Sequence, residues 1–129
     1  MDTSKEYIKM CEEAEEIQER WTWIKGDVFA DEINQIHILE SGGHIMLMGT
    51  HFPEGYIWLP RQDQLQEMVD WKEYNISIEW GSLPHKFNWS QDPLEIDGVD
   101  GDSMEQFWLA FVMKEKYNKI WNKELKWQK

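Results

Sequence analysis

The sequence predicts an α+β fold: a single domain over residues 1 to 129, in the element order αβββαβα, with a largely antiparallel sheet packed against helices. Three observations lead there. Apolar residues recur with helical period near 3 to 21, 61 to 74 and 103 to 117, and with a period of two between these stretches. Most of the strand-like runs follow one another through short turns rather than helices, which suits antiparallel neighbours. A chain of 129 residues makes one domain of ordinary size, able to bury about two-thirds of its unfolded surface without disulfides or a structural metal.

The first helix is expected over 3 to 21, where Tyr7, Met10, Cys11, Ala14, Ile17 and Trp21 form one apolar stripe. Thr3 with Glu6 fits a capping box at its start. The opposite face carries Glu12, Glu13, Glu15, Glu16 and Glu19, and two of its pairs, Glu12 with Glu16 and Glu15 with Glu19, set like charges four residues apart. After Gly26 and Asp27 the period falls to two. Strands are expected over 28 to 30, 33 to 40 and 44 to 51, with Ser41-Gly42-Gly43 as a hairpin turn, and a further short apolar run covers 56 to 59. Helical spacing returns over 61 to 74, with Leu65, Met68 and Val69 inward. Residues 75 to 80 alternate Ile76, Ile78 and Trp80 against Asn75, Ser77 and Glu79, the pattern of a strand with one buried face.

Gly81, Pro84, Pro93, Gly98 and Gly101 punctuate residues 81 to 102, which therefore read as a long ordered loop, and such loops often carry function. The last strong helix runs from 103 to about 117. Ser103 and Gln106 cap it, and Met104, Phe107, Trp108, Phe111 and Val112 give it a broad buried face. Residues 121 to 127 fit a short closing strand and a frayed helix equally well.

The 25 Asp and Glu residues against 13 Lys and Arg leave a net charge of −12. A nucleic-acid-binding surface needs clustered cations, so direct binding to nucleic acid is not expected. The charge is uneven: residues 114 to 129 hold six Lys and two Glu, and the acidic excess lies on the rest of the chain. Lysines at the end of a helix also offset its dipole. One cysteine, Cys11, excludes an internal disulfide and points to a reducing, cytoplasmic setting. The chain opens on no leader-like segment and holds no apolar run of 18 or so residues, so neither secretion nor a membrane association is expected. Nine Trp are a large number for this length. Either several reach the surface as contact residues for a protein partner, or they make a Trp-rich core with ordinary partial exposure. A Trp-rich domain can also cover apolar surface in a homodimer.

Few motifs carry chemistry. His37, His44 and His51 recur every seven residues, yet neither hairpin register of the 41 to 43 turn brings them together, so they read as isolated strand residues. Asp92, Glu95, Asp97, Asp100, Asp102 and Glu105 crowd one segment, but no start in it supplies the ligand positions and Gly of an EF-hand. No phosphate-cradling Gly loop or nucleophile signature is present, and no cofactor is implied. Glu13 with Glu16 and Glu67 with Asp70 lie one helical turn apart. Together they resemble the E-x-x-E and E-x-x-D magnesium ligands of the all-α nucleotide pyrophosphohydrolases, and that resemblance implies a magnesium-dependent nucleotide pyrophosphohydrolase; the second reading is that, or a small-molecule or nucleotide binder using a Trp-lined pocket closed by the 81 to 102 segment.

Two strings, over residues 57 to 68 and 103 to 117, resemble segments of small uncharacterised proteins encoded by bacteriophages and prophages. The resemblance implies a phage-type protein in the cytoplasm of a bacterial host and brings no catalytic residues with it. The first reading is therefore a non-enzymatic, acidic interaction module, an inhibitor of a host or defence protein among the possibilities. Its partner is a host or phage protein with a basic surface. The expected contact residues are Glu12, Glu13, Glu16 and Glu19 on the first helix and Trp80, Phe87 and Trp89 around the 81 to 102 segment.

Overall fold

A computed structural model describes residues 1–22, 24–40, 55–81, 84–92 and 94–129. The α+β class holds, with helices set against antiparallel sheets. The chain divides into two compact units, one comprising Met1 and Thr3–Arg61 and the other Asp2 and Gln62–Lys129.

The first unit opens with α1 (Lys5–Glu13), whose Tyr7, Met10 and Cys11 are buried as the stripe predicts, together with Ile8. Its cap is Ser4 rather than Thr3: Ser4 Oγ accepts from the Tyr7 amide at 3.2 Å. The expected long helix is interrupted at Ala14 (φ −88°, ψ 71°) and resumes as the single turn α2 (Glu15–Gln18). Tertiary hydrogen bonding outweighs helix propensity here, because Cys11 O, no longer followed by a continuous helix, accepts from Ala14 N at 3.1 Å and from Gln18 Nε2 at 3.1 Å. The same Gln18 carboxamide grips the edge of a strand, accepting from Trp58 N and donating to Trp58 O, both at 2.8 Å.

The sheet beside these helices has the order β2-β1-β3, all antiparallel, from β1 (Val28–Ala30), β2 (Ile36–Ile38) and β3 (Ile57–Leu59). Phe29 is the central residue, paired with His37 on one side and Trp58 on the other. The strand expected over 33 to 40 shrinks to three residues because Asp31 builds a turn. Its Oδ1 accepts from the amides of Ile33 (3.0 Å) and Gln35 (2.9 Å), while Asn34 takes a positive φ of 62°. The expected strand over 44 to 51 and its Ser41-Gly42-Gly43 turn lie outside the described residues, as do two of the three histidines, His44 and His51.

The second unit begins with α3 (Gln62–Gln66), which buries Leu65, and a 3₁₀ turn at Trp71–Glu73. The single helix expected over 61 to 74 is thus two shorter pieces. A three-stranded antiparallel meander follows: β4 (Asn75–Glu79), β5 (His85–Ser90) and β6 (Asp97–Gly101). This corrects the loop expected over 81 to 102. Phe87 and Trp89 alternate with Lys86 and Asn88 and carry the period of two that the flanking Pro and Gly residues masked. β6 holds a lone apolar residue, Val99, so its pairing with β5 and not its own propensity makes it a strand.

Helix α4 (Met104–Tyr117) buries every residue from Gln106 to Met113, as expected of a central core helix. Ser103 Oγ accepts from Gln106 N at 3.2 Å, and Gln106 Oε1 accepts in return from Asp102 N at 3.1 Å. Its aromatic face meets the sheet. Phe87 stacks on Phe107 with ring centroids 5.0 Å apart, and Trp89 packs edgewise on Phe111 at 5.2 Å. The helix ends at Asn118 in the left-handed region (φ 55°), where Lys119 N returns to Met113 O at 3.1 Å. Residues beyond it form the hairpin of β7 (Ile120–Asn122) and β8 (Lys126–Gln128), with Trp121 opposite Trp127, which resolves the ambiguity of the last segment in favour of strands.

Candidate functional site

The tryptophans act chiefly as core. Trp58, Trp89, Trp108 and Trp127 are buried, and among the described residues Trp80 alone reaches the exposed class, at 49 %. Indole N–H groups find carboxylates in two places: Trp21 Nε1 donates to Asp27 Oδ2 at 2.9 Å, and Trp89 Nε1 donates to Glu115 Oε1 at 2.8 Å. Those of Trp58 and Trp108 are buried with no acceptor among the described residues. An unpaired buried donor of this kind costs about 1–3 kcal/mol.

These placements split the expected contact set. Glu12 and Glu19 are exposed and Glu13 and Glu16 half-buried, with Glu15 exposed beside them, so the α1–α2 segment presents a carboxylate-rich face. Trp80 is exposed at the end of β4, its ring 4.4 Å from His85 and 5.6 Å from Phe87. Phe87 (0 % exposed) and Trp89 (2 %) are corrections: they point from β5 into the aromatic core under α4 and are closed to a partner. The reason is that residues 85 to 90 form a strand with one face buried, not an exposed loop.

The four carboxylates of the hydrolase-like pattern do not sit on regular helix turns. Glu13 and Glu16 are separated by the break at Ala14, Glu67 lies beyond the end of α3, and Asp70 precedes the 3₁₀ turn. Three-residue spacing aligns side chains only where the helix is continuous. Among the described residues no three His, Cys, Asp or Glu side chains gather into a metal-holding group. Cys11 is fully buried within the α1 stripe.

Three further polar groups are tied into the fold. Asp27 is fully buried, and its Oδ2 also accepts from Ile24 N at 3.0 Å while Arg61 Nη1 stands 3.4 Å from Oδ1 and donates to Gly26 O at 3.0 Å. Asp31 Oδ2 lies 2.8 Å from His37 Nε2, and that hydrogen bond holds the Asp31 carboxyl below its ordinary value of 3.8. Glu115 Oε2 accepts from Tyr74 Oη at 3.2 Å, and burial, then the Glu115 charge, push the Tyr74 phenol above 10.0.

A shallow, open cleft lies between β5, β6, α4 and β7, with about 20 Å³ of room for solvent-sized groups. Trp89 and Ala110 line it together with Trp121, and Asp97, Lys114 and Lys119 are the charged residues in its wall. The sequence predicts a Trp-lined pocket at the 81 to 102 segment, which supplies Trp89, Asp97, Gly98 and Val99 here, but not the walls from α4 and β7. The available signal was Ala110, a small residue set between bulky Leu109 and Phe111 on a helix otherwise filled with large side chains. No protein-family model, curated protein or solved structure matches the chain.

Proposed function

We propose that this chain is a non-enzymatic, acidic interaction module that binds a basic surface on another protein through the α1–α2 face. The observation that carries this reading is the exposure of Glu12, Glu15 and Glu19 beside half-buried Glu13 and Glu16, five carboxylates within eight residues. Like charges so close repel one another, and a cationic partner relieves that repulsion on binding while the net charge of −12 steers the encounter. The buried Asp27 and half-buried Glu115 support the reading from the other side, since indole, amide and phenol donors already engage their oxygens. The phage-like strings at 57 to 68 and 103 to 117 favour a bacterial cytoplasm as the setting and a host or phage protein as the partner.

The test is an affinity capture with the tagged chain from bacterial lysate at low and at moderate salt, read by mass spectrometry. The reading expects a stoichiometric partner with a basic surface whose recovery falls as salt rises, because surface charges are screened within about 8–10 Å at physiological ionic strength. A partner retained undiminished at moderate salt contradicts it.

A further inference from the structure

We infer that the β7–β8 hairpin of one copy docks on the acidic α1–α2 face of a second copy of this chain. The hairpin buries one face and presents the other. Trp121 and Trp127 pair on the inner side, while Ile120 and Lys126 are exposed on the outer side, with Lys123 and Leu125 at the turn and Lys129 beyond β8. Ile120 and Leu125 are 51 % and 62 % exposed, so two aliphatic side chains stand among three ammonium groups, an apolar centre with a charged rim. Backbone strain marks the same place. Lys126 takes a positive φ of 64°, and among the described residues the other non-glycines in that region are two asparagines, which tolerate it best. A glycine would relieve the strain, so the lysine there points to a use for its side chain.

Charge complementarity names the occupant. Residues 114 to 129 hold six Lys and two Glu in a chain of net charge −12, and the face that matches them is the chain's own: Glu12, Glu15 and Glu19, exposed beside half-buried Glu13 and Glu16. Two acidic bodies repel overall. At physiological salt that repulsion is screened beyond about 8 Å, whereas apposed Lys and Glu side chains within about 4 Å still attract. Lysines settling on α1–α2 also relieve its like-charge repulsion. Because the two surfaces differ, the contact is heterologous and builds chains or closed rings. A foreign basic partner then competes with the hairpin for one face. The inference rests on the proposed function for the binding character of that face, but self-association is read from the purified chain and capture from lysate, so either can fail without the other.

Analytical ultracentrifugation of the full purified chain at about 0.15 M salt tests it. The mean mass is expected to rise above that of the monomer with concentration, with a Kd on the order of 100 μM, and to fall back at about 0.5 M salt. A hairpin-reversed variant (Lys123→Glu, Lys126→Glu and Lys129→Glu) and a face-reversed variant (Glu12→Lys, Glu15→Lys and Glu19→Lys) each stay monomeric. Their equimolar mixture associates again, because each reversed patch meets its complement, and both variants keep a net negative charge, so attraction between whole bodies does not supply the recovery. Lys123→Gln with Lys126→Gln weakens the parent association about fivefold, and this mild pair decides the matter if a reversed variant fails to fold. A parent chain monomeric up to about 1 mM overturns the inference. So does an association unchanged in the glutamine pair, or a mixture of the two folded, reversed variants that stays monomeric. A monomeric chain retained on phosphatidylserine vesicles through the same lysines overturns it too, and gives the hairpin a membrane surface instead.

Discussion

Gln18 offers a sharp test of how the first unit is held together. Its carboxamide makes three hydrogen bonds, to Trp58 N and O at 2.8 Å each and to Cys11 O at 3.1 Å, and so takes the place of a neighbouring strand on the edge of β3. At about 0.5–1.5 kcal/mol per bond, Gln18→Ala is expected to destabilise by about 3 kcal/mol. For a chain of this size that lowers Tm by on the order of 10 °C. Gln18→Glu is the finer instrument. The carboxylate still accepts from Trp58 N but has no proton for the two carbonyls, so near pH 7 the variant is expected to lose about as much stability as the alanine variant. Those carbonyls raise the folded pKa of the new carboxyl above its unfolded value of about 4.3. Its stabilising contribution is then present below that unfolded pKa and lost as pH rises through the folded one. Urea unfolding at pH 4 and pH 7, followed by circular dichroism and Trp fluorescence, reads both effects. A Gln18→Glu variant as stable as the parent at pH 7, or a Gln18→Ala cost under about 0.5 kcal/mol, refutes the bridging role.

Three other outcomes follow from the described geometry. The Asp31 carboxyl titrates below 3.8 in an NMR pH series and moves upward in His37→Ala; its contribution to stability is present above the unfolded pKa and is lost as pH falls through the depressed folded value. The Tyr74 phenol titrates above 10.0 by ultraviolet difference absorbance, and Glu115→Gln lowers it while burial keeps it raised; the associated stability is complete below pH 10.0 and disappears as pH rises through the folded pKa. Gly98→Ala places a Cβ 2.6 Å from Asn88 Oδ1 and 3.3 Å from Phe87 O, and thermal melts are expected to show a loss of about 1–2 kcal/mol that Asn88→Ala partly restores.

What could be read in the sequence depended on whether local pattern or distant contact decides each element. The stripe of Tyr7, Met10 and Cys11 and the solid apolar block of α4 declare themselves by periodicity, and both are buried where expected. So does the alternation of β4. The misreadings fall where a partner decides. Gln18 bonds across 40 residues of sequence to Trp58, and the helix breaks to let it. Asp31 spends residues 31 to 35 on a turn that a count of apolar residues cannot see. β6, with Val99 as its lone apolar residue, becomes a strand by pairing with β5, and without that strand the neighbouring Phe87 and Trp89 looked like exposed anchors. The acidic face was legible because runs of charge declare themselves in sequence; of the cleft, the 81 to 102 segment was legible, but the walls from α4 and β7 were not, because these elements meet that segment only after folding.

The central claim is that the exposed carboxylates of α1–α2 work by binding rather than by holding the fold. The most direct measurement compares partner capture by the parent chain with capture by a variant carrying the exposed Glu12, Glu15 and Glu19 as glutamine, alongside the melting curve of each. Removing like-charge repulsion at a largely exposed face is expected to leave Tm unchanged or slightly raised, while the partner disappears from the capture. A variant that melts as the parent does and still retains its partner would contradict the claim.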